Sequence, residues 1–304
     1  MSTTLKPAVD PVAKSPPSLD VIRKLVEDED DFGHELRVGN IVNNVRPFTG
    51  VYQGIHLEHG GTYTDSVTGK SRQFDYRATF EVAHSAIPPF FQSVIHLAIE
   101  CKNLSSDAPL VVCGQPRTAN EAFVDNIRTD ASEIVLDRMR SARVLRYDGW
   151  PTLYQPGEFV GKSLVRIRPV EKGGRPNGYK VDPDADVYDK WSQALSSAVD
   201  LVEKAYCSKE TTSAILPVVV VPDGRLMRVK YDDSGKIAEG PLLVDEAQFY
   251  VGRIIDVRAR VSRSDFTCSH IHFLTLNGFL NFIRRIADRD LDLNRIFHQV
   301  FRNP

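Results

Sequence analysis

Apolar residues after Ser18 recur at helical spacing, as Leu19, Ile22, Leu25 and Val26, with Ser18 placed as an N-cap. An acidic run from Glu27 to Asp31 reads as a solvated helix entry, leading into a second helical stretch at about Phe32 to Val45. The pattern then changes period. From Val51 to Val82 it predicts two strands joined by the turn Asp65 to Ser71. In the second strand Phe74, Tyr76, Ala78, Phe80 and Val82 share one face. Gln73, Asp75, Arg77, Thr79 and Glu81 share the other. Pro88 and Pro89 break the chain before a third strand, Ser93 to Asn103, whose core face is Ile95, Leu97, Ile99 and Cys101. Helices are expected at Asn120 to Ala142 and at Asp184 to Ala205. Ala214 to Val221, the turn Pro222-Asp223-Gly224 and Leu226 to Tyr231 read as a hairpin. A last strand near His270 to Thr275 leads into a helix, Leu276 to Ala287. Strands and helices so mixed predict an α/β, or mixed α+β, fold.

Composition narrows the class. Of 304 residues, 42% are hydrophobic and 26% charged, which fits a globular chain able to bury a core without disulfide staples. The formal net charge of -2 argues against general polyanion coating but leaves room for a local basic groove. The cysteines Cys101, Cys113, Cys207 and Cys268 form no C-x-x-C pair and suit a reducing compartment. Met1 to Pro17 has no apolar stretch and reads as a flexible tail rather than a signal peptide or anchor. The longest apolar run, Ile215 to Val221, is far short of the ~18 residues of a spanning helix. The expectation is a cytoplasmic protein with no membrane partner: a tail over residues 1–17, then one domain over 18–304.

Three residues carry the chemistry. Glu100 and Lys102 lie two apart on a strand and project from one face. Asp75 lies on the polar face of the preceding strand, so pairing of the two brings three charged groups together. Two carboxylates and a lysine suit a divalent metal that hydrolyses a phosphodiester. Hard Mg²⁺ takes carboxylate, water and phosphate oxygens, and the ammonium orients water or stabilises developing negative charge. Glu35 falls within the helical arc of Phe32, Leu36, Val38, Gly39 and Val42. A carboxylate on an apolar face wants a partner, and a helix packed on the sheet could aim it at the same metal.

The order helix with Glu35, strand, strand with Asp75, then Ile99-Glu100-Cys101-Lys102 resembles the PD-(D/E)XK nuclease superfamily, the restriction-endonuclease-like fold. The stretches Tyr63 to Asp75 and His96 to Asn103 are similar to uncharacterised bacterial members. The resemblance is direct over about residues 32–103, with Phe74 where the motif has Pro. It implies a core of helix, three-stranded meander, helix and strand, in a central mixed sheet flanked by helices. The Asp184 to Ala205 helix and the Ala214 to Val221 strand would complete that core, and residues 108–183 would be an insertion after the third core strand. It further implies Asp75, Glu100 and the carbonyl of Cys101 as metal ligands, Lys102 as the catalytic lysine and Glu35 as the helix carboxylate. The implied activity is a Mg²⁺-dependent DNA endonuclease, with Mn²⁺ as a substitute ion and a homodimer for paired cuts. The alternative is an inactive nuclease-like fold serving as a nucleic-acid-binding or assembly module.

Other signals are weaker. Thr68-Gly69-Lys70-Ser71 has the end of a P-loop but Thr64 where its first glycine belongs, so it is a turn. Cys268, His270 and His272 share a strand face and offer a zinc site without a fourth ligand; a semi-exposed strand face explains them more simply. His34 and His96 lie near the acidic site and read as hydrogen-bonded structural histidines. Arg253, Arg258, Arg260 and Arg263 suit phosphate contacts or a solvated face. Tyr147, Trp150 and Tyr154 suit base stacking or packing of the insertion.

Overall fold

In the computed structural model the described residues are 17–29, 31–45, 52–65, 68–83, 92–104, 108–122, 127–129, 154–172, 175–182, 185–204, 211–258 and 263–287. Residues 1–16 of the tail predicted over residues 1–17 lie outside them, as do Tyr147 and Trp150 and most of the helix predicted over 120–142. The described residues fall into two units. In the first, α1 (Leu19–Glu29) begins where expected, with the Val21 N–H donating to Ser18 Oγ at 3.4 Å.

The second unit starts at Asp31 and is mixed α+β. Helix α2 (Asp31–Asn44) is followed by β1 (Tyr52–His59), the short β2 (Thr62–Thr64) and β3 (Ser71–Gln73), β4 (Tyr76–Ala83) and β5 (Gln92–Cys101). β1, β4 and β5 form an antiparallel meander. β2 and β3 pair as a separate ribbon that extends the predicted turn. Next come β6 (Leu110–Pro116), β7 (Ile127–Thr129), β8 (Phe159–Lys172), β9 (Arg175–Asp182), α3 (Ala185–Lys204) and β10 (Thr211–Val221). β11 (Leu226–Tyr231), β12 (Ile237–Leu243), β13 (Glu246–Arg258), β14 (Arg263–Thr275) and α4 (Leu276–Ala287) complete the described chain. The main sheet runs β1-β4-β5-β10-β14-β13-β8-β6-β11-β12, with β7 beside β10 and β9 beside β8.

β10 is the centre. Ser213 to Val221 is buried throughout, parallel to β5 on one side and to β14 on the other. A near-continuous β-branched run suits a parallel strand covered on both faces. Tyr76, Ala78, Phe80, Leu97, Ile99, Leu216 and Val218 pack toward Val38 and Val42 of α2 and Phe279, Phe282 and Ile283 of α4. Ala98, Ile215, Val219 and Val221 pack toward Ala194, Leu195, Ala198 and Val202 of α3. The sheet is therefore sandwiched, α2 and α4 on one face and α3 on the other.

Three expectations are corrected. The hairpin across Pro222-Asp223-Gly224 does not form: both edges of β10 are occupied, and β11 pairs instead with β6 in parallel and with β12 antiparallel. Residues 120–142 are not one helix, since Asn120–Ala122 is a single 3-10 turn and Ile127–Thr129 is a strand against β10. The segment 108–183, expected as an insertion, adds β6 and β8 to the main sheet and β9 beside β8. Finally, α2 does not bury the predicted arc. Phe32 and Leu36 are exposed, and the buried side is His34, Val38, Gly39 and Val42, leaving Glu35 at its margin.

Candidate active site

Register brings the motif together. Tyr76 lies opposite Ile99, which places Asp75 and Glu100 side by side where β4 begins and β5 ends. This is the carboxyl end of the parallel strands β5 and β10, where ligands collect in open α/β sheets. The Cys101 N–H donates to Asp75 Oδ2 at 2.7 Å, inside the charge-assisted range. The Lys102 N–H donates to the Val220 carbonyl at 2.8 Å, carrying the chain one residue beyond β5 along β10.

Glu100 is fully buried and lies on the α3 face with Ala98. Both faces of β5 are core, so the expected contrast between an apolar and a solvated face does not hold. Burying a carboxylate costs several kcal/mol, and a surface ion-pair cluster is excluded for this position. Its charge is felt by Tyr63, whose phenol is pushed up by burial first, then by Glu100 and Asp65. The Tyr63 hydroxyl donates to the Gln193 carbonyl of α3 at 3.1 Å. Lys102 is half-buried, and the Cys101 side chain turns to the opposite core.

Glu35 approaches from the α2 face. Its Oε2 lies 4.0 Å from His59 Nε2, and His59 stacks on Tyr76 at 4.5 Å. Burial raises the Tyr76 phenol, with Cys101, Glu35 and Asp75 adding to it in that order. Tyr76 is thus the neighbour that Glu35 and Asp75 share. A side chain at Gly39 would put Cβ 2.7 Å from the Tyr76 oxygen, so glycine is what lets the ring lie against α2.

His34 is fully buried and binds the Val220 carbonyl through Nε2 at 3.1 Å, the carbonyl that also accepts from Lys102. A carbonyl only accepts, so Nε2 carries the proton. The strand pattern marks Arg77 only as one residue of a polar face. It is buried, pairs with Asp200 of α3 at 2.8 Å, donates to Ser197 Oγ at 3.1 Å, and packs 4.2 Å from the Phe74 ring centre. Phe74 therefore leaves the face predicted for it and joins Arg77. A lone arginine between residues of a strand gives no sign of which helix will meet it. His96 bonds Thr79 Oγ1 at 3.1 Å, and burial, then Arg77, lower its imidazole to about 4.

Cys268, His270 and His272 are buried rather than semi-exposed. Tyr154 fills the space beside the histidines: its ring stacks on His270 at 3.8 Å and its hydroxyl meets His272 Nε2 at 2.9 Å. Arg117 lies over that ring at 5.4 Å and donates to Gln248 Oε1 and the Gln155 carbonyl. Tyr154 packs and does not present a face for base stacking. Among the described residues no group of three or more His, Cys, Asp or Glu side chains is arranged to hold a metal ion.

The donor chemistry at the motif is all oxygen: the carboxylates of Asp75 and Glu100 and the Cys101 carbonyl. That set suits Mg²⁺, which keeps several waters and needs few protein ligands. No helix among the described residues is long and apolar enough to cross a membrane. No protein family, curated protein or solved structure matches the chain.

Proposed function

We propose that the chain is a metal-dependent nuclease that hydrolyses phosphodiester bonds, with DNA as its substrate. The observation that carries this reading is the junction of Asp75, Glu100 and Lys102 at the carboxyl end of β5, tied by the Asp75–Cys101 hydrogen bond. The chain order supports it. Helix α2, the meander β1-β4-β5, helix α3 and the parallel strand β10 follow the order of the restriction-endonuclease-like core.

In this reading Asp75, Glu100 and the Cys101 carbonyl hold Mg²⁺, or Mn²⁺ in its place, with Glu35 supporting from α2. Such an ion, when bound, would lower the pKa of a water and neutralise phosphate charge. The chain's own groups do the rest. The Cys101 N–H fixes the Asp75 carboxylate, and the low-dielectric surround of Glu100 strengthens every charge interaction nearby. Lys102 supplies positive charge where the attacked phosphate gains negative charge. Water adds to phosphorus and gives up a proton, the bond to the leaving sugar oxygen breaks, and that oxygen takes up a proton.

One observation favours a second reading, a non-catalytic nucleic-acid-binding module. Asp75 Oδ2 is already engaged by a main-chain N–H. Incubation of supercoiled plasmid with the purified chain, in Mg²⁺ and in EDTA, separates the two. Nicking that needs the metal supports the nuclease, and retention of intact plasmid with binding supports the module.

A further inference from the structure

The ribbon β2–β3 leaves the sheet at the motif itself, between the end of β1 and the start of β4. Its root is closed by two backbone bonds. The Gly60 N–H donates to the Asp75 carbonyl at 3.1 Å, and the Phe74 N–H to the Gly61 carbonyl at 3.0 Å. Thr62 then pairs with Gln73, Tyr63 with Arg72 and Thr64 with Ser71. Period two gives the ribbon two faces. On one, Tyr63 is buried with its hydroxyl on the Gln193 carbonyl of α3, and the buried Asp65 pairs with Arg72 at 2.8 Å. On the other, Thr62, Thr64, Ser71 and Gln73 are all exposed. The turn is set by main-chain bonds as well: the Asp65 N–H donates to the Lys70 carbonyl at 2.9 Å, and the Gly69 N–H to the Asp65 carbonyl at 2.8 Å. The ribbon is thus held in shape in advance, which spares the ordering cost of binding.

Charge and size both bear on what this face meets. Asp65 is the sole acid between Gly60 and Phe74, and it is turned inward, while Lys70 is exposed near the tip. The exposed side therefore offers hydroxyls, a carboxamide and a cation. The major groove of B-DNA, about 12 Å wide and about 8.5 Å deep, admits a two-stranded ribbon, and the minor groove, about 6 Å wide, does not. Three paired positions at about 3.3 Å each reach about 10 Å, enough for that depth. The major groove of A-form RNA is too narrow for side chains to read. Gln73 stands two residues from Asp75, about 7 Å along a strand, or about two base-pair rises. A carboxamide matches the adenine edge, and hydroxyls bond to any base edge.

We propose that the β2–β3 ribbon enters the major groove of duplex DNA beside the phosphodiester held at Asp75, with Thr62 and Gln73 meeting base edges and Lys70 a phosphate. The proposal deepens the nuclease reading and rests on it for the class of ligand. It narrows that class to B-form duplex and does not need the metal site to be active.

The test is fluorescence anisotropy, in EDTA and across a salt series, of labelled duplexes of one sequence. They are plain DNA, DNA with glucosylated 5-hydroxymethylcytosine, whose sugars fill the major groove, and RNA. Plasmid cleavage in Mg²⁺ and melting temperature are measured on the same preparations. The proteins are wild type, Thr62→Ala/Gln73→Ala, Lys70→Gln, and Lys236→Gln as a charge control on the exposed turn after β11. Wild type is expected to bind plain DNA at least about tenfold more tightly than either other duplex. The double variant is expected to bind plain DNA about tenfold more weakly with its salt slope unchanged. Lys70→Gln lowers the slope by about 0.9, and Lys236→Gln binds as wild type does. Equal binding of plain and glucosylated DNA by wild type overturns the proposal, and this comparison stands whatever the variants' fold. So does equal binding of RNA, unchanged affinity in a double variant that melts as wild type does, or absence of binding to plain DNA. Ribbon-dependent binding in a protein that never cleaves sustains the ribbon and sinks the nuclease reading alone. Metal-dependent cleavage with ribbon-independent binding does the reverse.

Discussion

Asp75 Oδ2 accepts the main-chain N–H of Cys101 at 2.7 Å, which joins a side chain at the start of β4 to the backbone at the end of β5. The bond holds the carboxylate beside Glu100 without using the side chain of Glu100 or Lys102. In the nuclease reading, loss of the carboxylate charge at either position removes metal affinity by a route separable from folding. In the nuclease reading Mg²⁺ raises the melting temperature of wild type by roughly 2–5 °C at about a hundredfold excess over its dissociation constant. Glu100→Gln and Asp75→Asn lose that rise. A thermal melt in Mg²⁺ against EDTA measures it, and an equal rise in all three proteins removes both carboxylates from the metal.

Arg77 and Asp200 test how α3 is held against β4. The pair is buried at 2.8 Å, so Arg77→Met takes the guanidinium away from a buried carboxylate and costs about 3–5 kcal/mol. Arg77→Met/Asp200→Leu recovers much of that loss, because it removes both charges. Urea unfolding of the single and double variants gives the comparison. A single variant as stable as wild type would show that the pair is not closed in solution.

Acid lability follows from two histidines kept neutral. Burial, then Arg77, lowers His96 to about 4. Burial, then Arg117, His272 and Lys162, lowers His270 to about 2. The unfolded chain takes up these protons near pH 6.5 and the folded chain does not. Stability is complete above about 6.5 and is lost as pH falls below it, with a slope from these two groups of up to about 2.7 kcal/mol per pH unit. His96→Gln lowers that slope by about half between pH 6.5 and 5. Chemical denaturation at stepped pH reads the slope, and an unchanged value contradicts the assignment.

Tyr154 anchors the entry to β8. Its hydroxyl meets His272 Nε2 at 2.9 Å in a fully buried setting. Tyr154→Phe leaves the imidazole nitrogen unmatched and costs about 1–3 kcal/mol, while cleavage by the folded fraction stays unchanged. Calorimetry with an activity assay distinguishes this packing role from a catalytic one.

The sequence carried the local elements near the motif well. Period-two alternation located β4 and β5, the helical spacing from Val187 to Val202 located α3, and the strand-to-helix step at Thr275 located α4. The partners of β10 were not legible, because a continuous apolar run beside a Pro-Asp-Gly turn fits a hairpin locally. Only the parallel pairing with β5 and β14 decides otherwise. At the site, Asp75, Glu100 and Lys102 could be placed by strand period alone. Burial of Glu100 could not, because polar residues on one strand face suggest solvent until α3 is docked on it. The same third-dimension information assigns Arg77 to Asp200 and His34 to Val220.

Cleavage of supercoiled plasmid in Mg²⁺ by wild type and by Lys102→Ala, each purified in parallel, tests the central claim most directly. The account predicts metal-dependent nicking by wild type and a fall of about 10²–10³-fold in Lys102→Ala, with melting temperatures unchanged. Equal cleavage by the two proteins would contradict it.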